Sequence, residues 1–200
     1  MPSIAPYLLP KALPAIQAAY PELDLQLRET QTQGLVAELR KGMLDLLLLA
    51  LPVHERDVET IRLFDDRFLV ARSATGKPGG GGRIDPAALD RERLLLLEEG
   101  HCLRDQALAY CTRPAHHGRL SGFGASSLAT IIQMVANGYG ITLLPEIAAR
   151  TEVTDGRIEL VRFTDPEPFR VVGLAWRRTS PRKRDFVEIG QLLTDCRAGI

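Results

Sequence analysis

Leu23-Asp24-Leu25-Gln26-Leu27-Arg28 opens the stretch that decides the fold, and Leu44-Asp45-Leu46-Leu47-Leu48-Leu49-Ala50-Leu51 closes it. In the first segment leucines alternate with Asp24, Gln26 and Arg28, the period of a strand with one buried face. The second is a near-continuous apolar run, the mark of a buried parallel strand. Between them Thr32 to Lys41 carries Leu35, Val36 and Leu39 at helical spacing, with Gly42 as its stop. Strand, helix and strand in this order build a right-handed crossover unit. The spacing therefore predicts an α/β fold.

Upstream, Tyr7 to Tyr20 reads as an amphipathic helix through Leu8, Leu9, Leu13 and Ile16, with Pro10 and Pro14 working against its first turns. Downstream, Ile61 to Leu63 and Arg67 to Ala71 are two candidate strands, the second crossing to another lobe. Gly76 to Gly82, with Pro78 and the glycines Gly79 to Gly82, reads as a surface loop. No Lys-Ser/Thr pair follows those glycines, so the phosphate-cradling pattern is missing. Asp85-Pro86 starts a short helix and Arg93 to Leu97 is a buried strand. Thr112 to Gly118 is polar and loop-like. Ser126 or Ser127 caps a helix that runs to about Ala136 and stops at Asn137-Gly138. Ile141 to Leu144 is a strand, and Pro145 opens another helix. Ile158 to Phe163 and Arg170 to Trp176 are strands, and Pro181 to Cys196 is a final amphipathic helix.

Composition narrows the function. Two hundred residues suit one medium domain or two small lobes. The formal net charge is zero, so this chain alone is a poor nucleic-acid binder. No apolar run approaches the roughly 18 residues of a membrane span, so no membrane partner is expected. Three cysteines and no export signal at Met1-Pro2-Ser3 point to a reducing cytoplasm.

Two of those cysteines lie in Glu98-Glu99-Gly100-His101-Cys102-Leu103-Arg104-Asp105-Gln106-Ala107-Leu108-Ala109-Tyr110-Cys111. Cys102 follows Gly100-His101 and precedes a run of helix formers, which places it in a first helical turn. The exposed N–H groups and dipole there favour a thiolate. Asp105 and Gln106, three and four residues on, share the face of Cys102. Nine helical steps set Cys111 about 13 Å away and roughly on the opposite side of the helix, on the apolar face of Leu103, Ala107 and Tyr110. A disulfide needs Cα atoms about 4.4–6.8 Å apart. Either the two thiols never pair, or pairing unwinds the helix. His101, Cys102, Cys111, His116 and His117 also cluster in sequence. The long gap between the cysteines is not the Cys-x2–4-Cys spacing of zinc sites, so neither a metal nor a cofactor is expected. Cys196 matches no redox motif.

Gly100-His101-Cys102-Leu103-Arg104-Asp105-Gln106 followed by Cys111 resembles the peroxide-sensing segment found among LysR-type transcription regulators. Pro10, Leu13-Pro14 and Tyr20-Pro21, then Leu39-Arg40-Lys41-Gly42-Met43-Leu44-Asp45, resemble the start of the effector domain of that family. Met134-Val135-Ala136-Asn137-Gly138-Tyr139-Gly140-Ile141-Thr142-Leu143-Leu144-Pro145 resembles the helix-Gly-strand-Pro unit of its second lobe.

The resemblance covers nearly the whole chain. It implies two Rossmann-like α/β lobes of periplasmic-binding-protein type joined by two crossover strands. Lobe I would hold residues 1–70 and 176–200, and lobe II residues 71–175 with the redox segment. The helix-turn-helix of a full regulator is absent, so the chain is expected to be an excised regulatory domain. The resemblance also implies that Cys102 reacts with hydrogen peroxide and that Cys111 resolves it as a disulfide. It places Ser3 (where the family usually has threonine), Thr32, Gly100, His101, Asp105 and Arg170 around the peroxide, with Arg170 stabilising the thiolate. The implied partners are a second copy of the chain, a tetramer in the full-length protein, promoter DNA through the absent domain, RNA polymerase and a thiol reductant. Two other functions compete with this one. An effector domain could bind a small organic ligand between the lobes, and a stand-alone thiol peroxidase would turn over with a reductant, which a sensor does poorly.

Overall fold

Helix α1 (Ala5–Ala19) carries Pro6 in its first turn, where the missing N–H costs nothing, and contains Pro10 and Pro14. It buries Tyr7, Leu8, Ala12 and Ile16. The computed structural model describes residues 1–75, 82–111, 120–154 and 156–197, with side chains at all of these except 90, 91, 111 and 120–123. The loop expectations for 76–81 and 112–118 therefore lie outside the described residues.

The strand expected at residues 23–28 is not there. Leu23, Leu25 and Leu27 are 40%, 42% and 57% exposed. Alternation specifies a face, but a strand also needs a neighbour for its backbone groups, and none pairs with this segment among the described residues. The predicted strand–helix–strand crossover is thus not built. Arg28 instead ties the segment to helix α2 (Thr32–Arg40), donating to both Glu38 carboxylate oxygens at 2.6 and 2.8 Å. Those bonds hold the Glu38 carboxyl below its usual value. Gly42, at φ +79°, ends the turn after α2.

Strand β1 (Leu46–Leu51) runs antiparallel to a late strand, Phe169–Arg177, from Leu46↔Trp176 to Leu51↔Val171. This corrects the parallel strand expected from its apolar run. Strand β2 (Val58–Ser73) is continuous through both candidate strands of the sequence. Strand β3 (Leu94–Leu97) follows a 3-10 turn, Pro86–Arg91, in which Asp85 accepts from the Ala87 N–H at 2.8 Å. Helix α3 (Cys102–Cys111) comes next, then strand β4 (Leu120–Ala125), parallel to β3. Helix α4 (Leu128–Ala136) is capped by Ser127, whose hydroxyl accepts from the Thr130 N–H. Strand β5 (Thr142–Pro145), helix α5 (Glu146–Glu152) and strand β6 (Ile158–Arg162) complete this region. The chain closes with β7 (Phe169–Arg177) and helix α6 (Lys183–Arg197).

These elements form two units, one of residues 1–66 and 170–200, the other of residues 67–169. The chain passes from one to the other within β2 and returns within β7. In the first unit β7 lies between β1 and β2, and α6 packs along α1. Gly173 makes the central strand possible, since a Cβ there would stand 2.4 Å from the Ile61 carbonyl oxygen and 2.5 Å from Leu51 Cδ1. In the second unit the later half of β2 pairs antiparallel with both β5 and β6. The β3–β4 pair joins β5 through the Leu95 N–H to Ile141 carbonyl bond of 2.8 Å.

A buried ion pair marks the crossing on the side of the first unit. Arg170 donates through Nε and Nη2 to Asp66 Oδ2 at 2.9 and 2.8 Å, and both side chains are about fully buried at 1% and 2% exposure. Nη1 and Nη2 also donate to the Ser3 hydroxyl and carbonyl at 2.8 and 2.7 Å. The last residue before the chain leaves and the first after it returns are therefore bonded to each other.

Two outcomes follow from this packing. Gly173→Ala should cost about 1–3 kcal/mol in urea unfolding, because the contacted carbonyl cannot move aside. Asp66→Asn should cost about 3–5 kcal/mol by leaving the buried guanidinium uncompensated, while the double change Asp66→Leu with Arg170→Met should cost less than that single change.

Candidate functional site

The end of β3 sets the geometry of the reactive segment. Glu98 donates its N–H to the Ala125 carbonyl at 3.0 Å, which fixes the strand end beside β4. The chain then turns through Gly100, whose φ of +87° suits glycine. His101 is buried, and its carbonyl accepts from the Arg104 N–H at 2.9 Å, closing the first turn of α3. Arg104 Nη1 reaches back to the Leu97 carbonyl at 3.1 Å. Cys102 is the first residue of this helix and is half-buried. A helix start of this kind presents N–H groups that stabilise an anion.

On the inner side of α3, Leu103 and Ala107 are buried against β3. Packing there is incomplete. A small cavity remains among Leu96, Leu97, Leu103, Ala107, Leu128 and Ile131. Gln106, four residues after Cys102, has its Oε1 buried with no hydrogen-bond partner, and Asp105 is exposed. Tyr110 does not join the buried stripe expected for it and is 41% exposed. Its ring lies against Phe68 with centroids 5.9 Å apart, and its hydroxyl donates to the Phe169 carbonyl at 2.8 Å. Cys111 is the last residue of α3, and its side chain lies outside the described set.

The remaining candidates belong to the first unit. Ser3 and Arg170 are brought together as described. Asp66, their third member, was not foreseen. It could have been: Phe64, Asp66 and Phe68 share one phase of β2 and all three are buried, and a carboxylate in such a phase needs a cation. Arg170 is consequently an ion-pair partner rather than a bare cation. Thr32 starts α2 and its hydroxyl donates to Met1 Sδ at 3.4 Å. Cys196 is half-buried on α6, its thiol 3.8 Å from the Lys11 carbonyl. His116 and His117 lie outside the described residues, among which no cluster of three or more His, Cys, Asp or Glu could hold a metal ion. No helix among the described residues is long and apolar enough to cross a membrane.

A probable hydrogen peroxide-inducible genes activator of Streptomyces viridosporus is 42% identical over 196 residues, which is 98% of this chain and 63% of that protein. The chain thus spans less than two thirds of the length of such relatives. The reduced form of the OxyR regulatory domain from Pseudomonas aeruginosa superposes with a TM-score of 0.87 at 38% identity, covering 98% of this chain and 92% of that one. A cysteine-to-serine mutant of Corynebacterium glutamicum OxyR bound to hydrogen peroxide gives a TM-score of 0.90 at 32% identity, over 99% of this chain and 63% of that one. The two α/β units are therefore the two-lobe fold of OxyR regulatory domains. Matched from residue 1 to residue 194, the chain belongs to the LysR substrate binding domain family.

Proposed function

We propose that this chain is the hydrogen-peroxide-sensing regulatory domain of a LysR-type transcription regulator, with Cys102 as the peroxide-reactive thiolate and Cys111 as the resolving thiol. The observation that carries the proposal is that the two cysteines are the first and last residues of one helix. The Cys102 thiolate attacks one peroxide oxygen, the O–O bond breaks, and hydroxide leaves as sulfenic acid forms. The Cys111 thiol then attacks the Cys102 sulfur, the S–O bond breaks and water leaves. Two thiols are oxidised, one peroxide is reduced, and the product is a disulfide. A thiol reductant reverses it by exchange. The event is one turn of a switch, not enzymatic turnover.

The helix sets the mechanical consequence. Its ends stand about 13 Å apart, and a disulfide holds Cα atoms within about 7 Å. Closing that gap breaks several backbone hydrogen bonds, each worth about 0.5–1.5 kcal/mol net. It also withdraws Leu103 and Ala107 from their seats on β3. The strain makes the disulfide easily reduced, which suits a signal that has to be reset.

In the whole protein this change repositions DNA-binding domains that lie outside the chain. The two units serve as lobes I and II, with Cys102 and Cys111 in lobe II. Copies pair through lobe I into dimers and then a tetramer, and promoter DNA and RNA polymerase are engaged in the cytoplasm. His101 and Gly100 shape the approach to Cys102, and Ser3, Thr32, Asp105 and Arg170 take supporting parts. What supports these assignments is the resemblance of the segment around Cys102 to the family's peroxide-sensing segment and the peroxide named for the relatives.

One equivalent of peroxide, followed by mass mapping of thiols, tests the assignment. The wild type should yield a peptide pair joined through Cys102 and Cys111. Cys111→Ser should stop at a sulfenic acid on Cys102, trapped by dimedone. Cys102→Ser should leave Cys111 reduced, and Cys196→Ser should behave as wild type. An unmodified Cys102 in the peroxide-treated wild type would overturn the proposal.

A further inference from the structure

Tyr110 is the residue before Cys111, and it ties α3 to both strands near the place where they cross between the units. Its hydroxyl donates to the Phe169 carbonyl at 2.8 Å, on β7 and one residue before Arg170. Its ring packs on Phe68, on β2 and two residues after Asp66. Phe68 in turn donates its N–H to the Pro168 carbonyl at 2.9 Å, so the two strands are bonded to each other beneath the tyrosine. Being 41% exposed, the side chain is held by these two contacts rather than by enclosure in the core.

We propose that Tyr110 is a positioning residue that latches the redox helix, in its reduced state, to the strand crossing. This rests on the disulfide reading of Cys102 and Cys111 given above. The Cys102 end of α3 is tied by buried Leu103, by the Arg104 bond to the Leu97 carbonyl and by the Arg104 N–H to His101 bond. The Cys111 end carries the Tyr110 latch. Bringing the cysteines together shortens their separation by about 6 Å or more, which displaces the backbone next to Cys111. A hydroxyl–carbonyl bond of 2.8 Å cannot follow such a displacement of the adjacent residue. The latch therefore belongs to the dithiol form alone. It biases the switch toward the reduced state, and its release frees the Phe169 carbonyl and uncovers Phe68 at the crossing. Tyr110 takes no part in the chemistry written above for the two sulfurs. It sets how readily the disulfide forms.

Tyr110→Phe removes the hydroxyl bond and keeps the ring on Phe68. Equilibrated in glutathione buffers, with the 102–111 disulfide counted by thiol labelling and mass, this variant should favour the disulfide about fivefold more than wild type, the scale of one hydrogen bond. At 29.6 mV per tenfold that is a potential about 20 mV more negative. Urea unfolding supplies the second arm. The reduced variant should lose the same factor of about five in its folding constant, while the oxidised variant should match oxidised wild type. A merely structural tyrosine would weaken both forms equally and leave the glutathione equilibrium unmoved, and that result would overturn the latch. A wild type that forms no 102–111 disulfide with peroxide would overturn the disulfide reading itself, and that is seen before any variant is made.

Discussion

A helix cannot bring its own ends together, and in this chain that rule governs everything downstream of Cys102. The ten residues of α3 begin with one cysteine and end with the other. While the hydrogen bonds of the helix persist, the two sulfurs belong to different places. A bond between them requires the helix to be spent. Under the proposed function, chemistry at sulfur becomes a change of backbone structure, driven by the oxidation of two thiols by peroxide, which is far larger than the few hydrogen bonds and the single apolar stripe that oppose it.

The surroundings of α3 suit a segment that has to leave. Its buried stripe is short, Leu103 and Ala107, and a small cavity lies beneath it. Its outer residues, such as Asp105, face solvent. The low cost of local opening follows from few buried apolar contacts. The strand crossing is built in the opposite way. Asp66 and Arg170 are about fully buried and bonded twice, with Ser3 taking two further guanidinium donors. Breaking that cluster would leave a buried charge, so it resists local opening.

Much of this was legible in the sequence, and the exceptions share a cause. Local chemistry was readable where a residue acts on its own backbone. Ser127 caps α4, Gly42 and Gly138 take positive φ at helix ends, and Gly100-His101 delivers Cys102 to a helix start. Partners were not readable. The alternation of Leu23, Leu25 and Leu27 shows a face but not a neighbour, so a strand was expected where the segment is exposed and unpaired among the described residues. The leucine run of β1 suggested a parallel strand because apolarity reports burial and not direction. Ile61 to Leu63 and Arg67 to Ala71 read as two strands although β2 is one, and the guanidinium that neutralises the intervening Asp66 comes from a residue 104 positions later. Strand β4 went unread because Gly122 and Gly124 weaken a strand signal, although a Cβ at Gly124 would come within 3.1 Å of Glu98 Cγ on the neighbouring strand's end. Helical periodicity placed Tyr110 inward beside Ala107, but a hydroxyl seeks an acceptor, and it found one at the crossing.

The central claim is that joining Cys102 to Cys111 dissolves α3. Amide hydrogen exchange read by mass spectrometry, on the reduced chain and on the chain carrying a mapped 102–111 disulfide, tests it directly. The amides of α3 past its first turn should be protected in the reduced chain and should exchange at close to the rate of an unstructured peptide in the oxidised chain, while α4 and the β2–β5 pairing keep their protection. If the disulfide is present and the α3 amides remain protected, the helix has not come apart and the account is wrong.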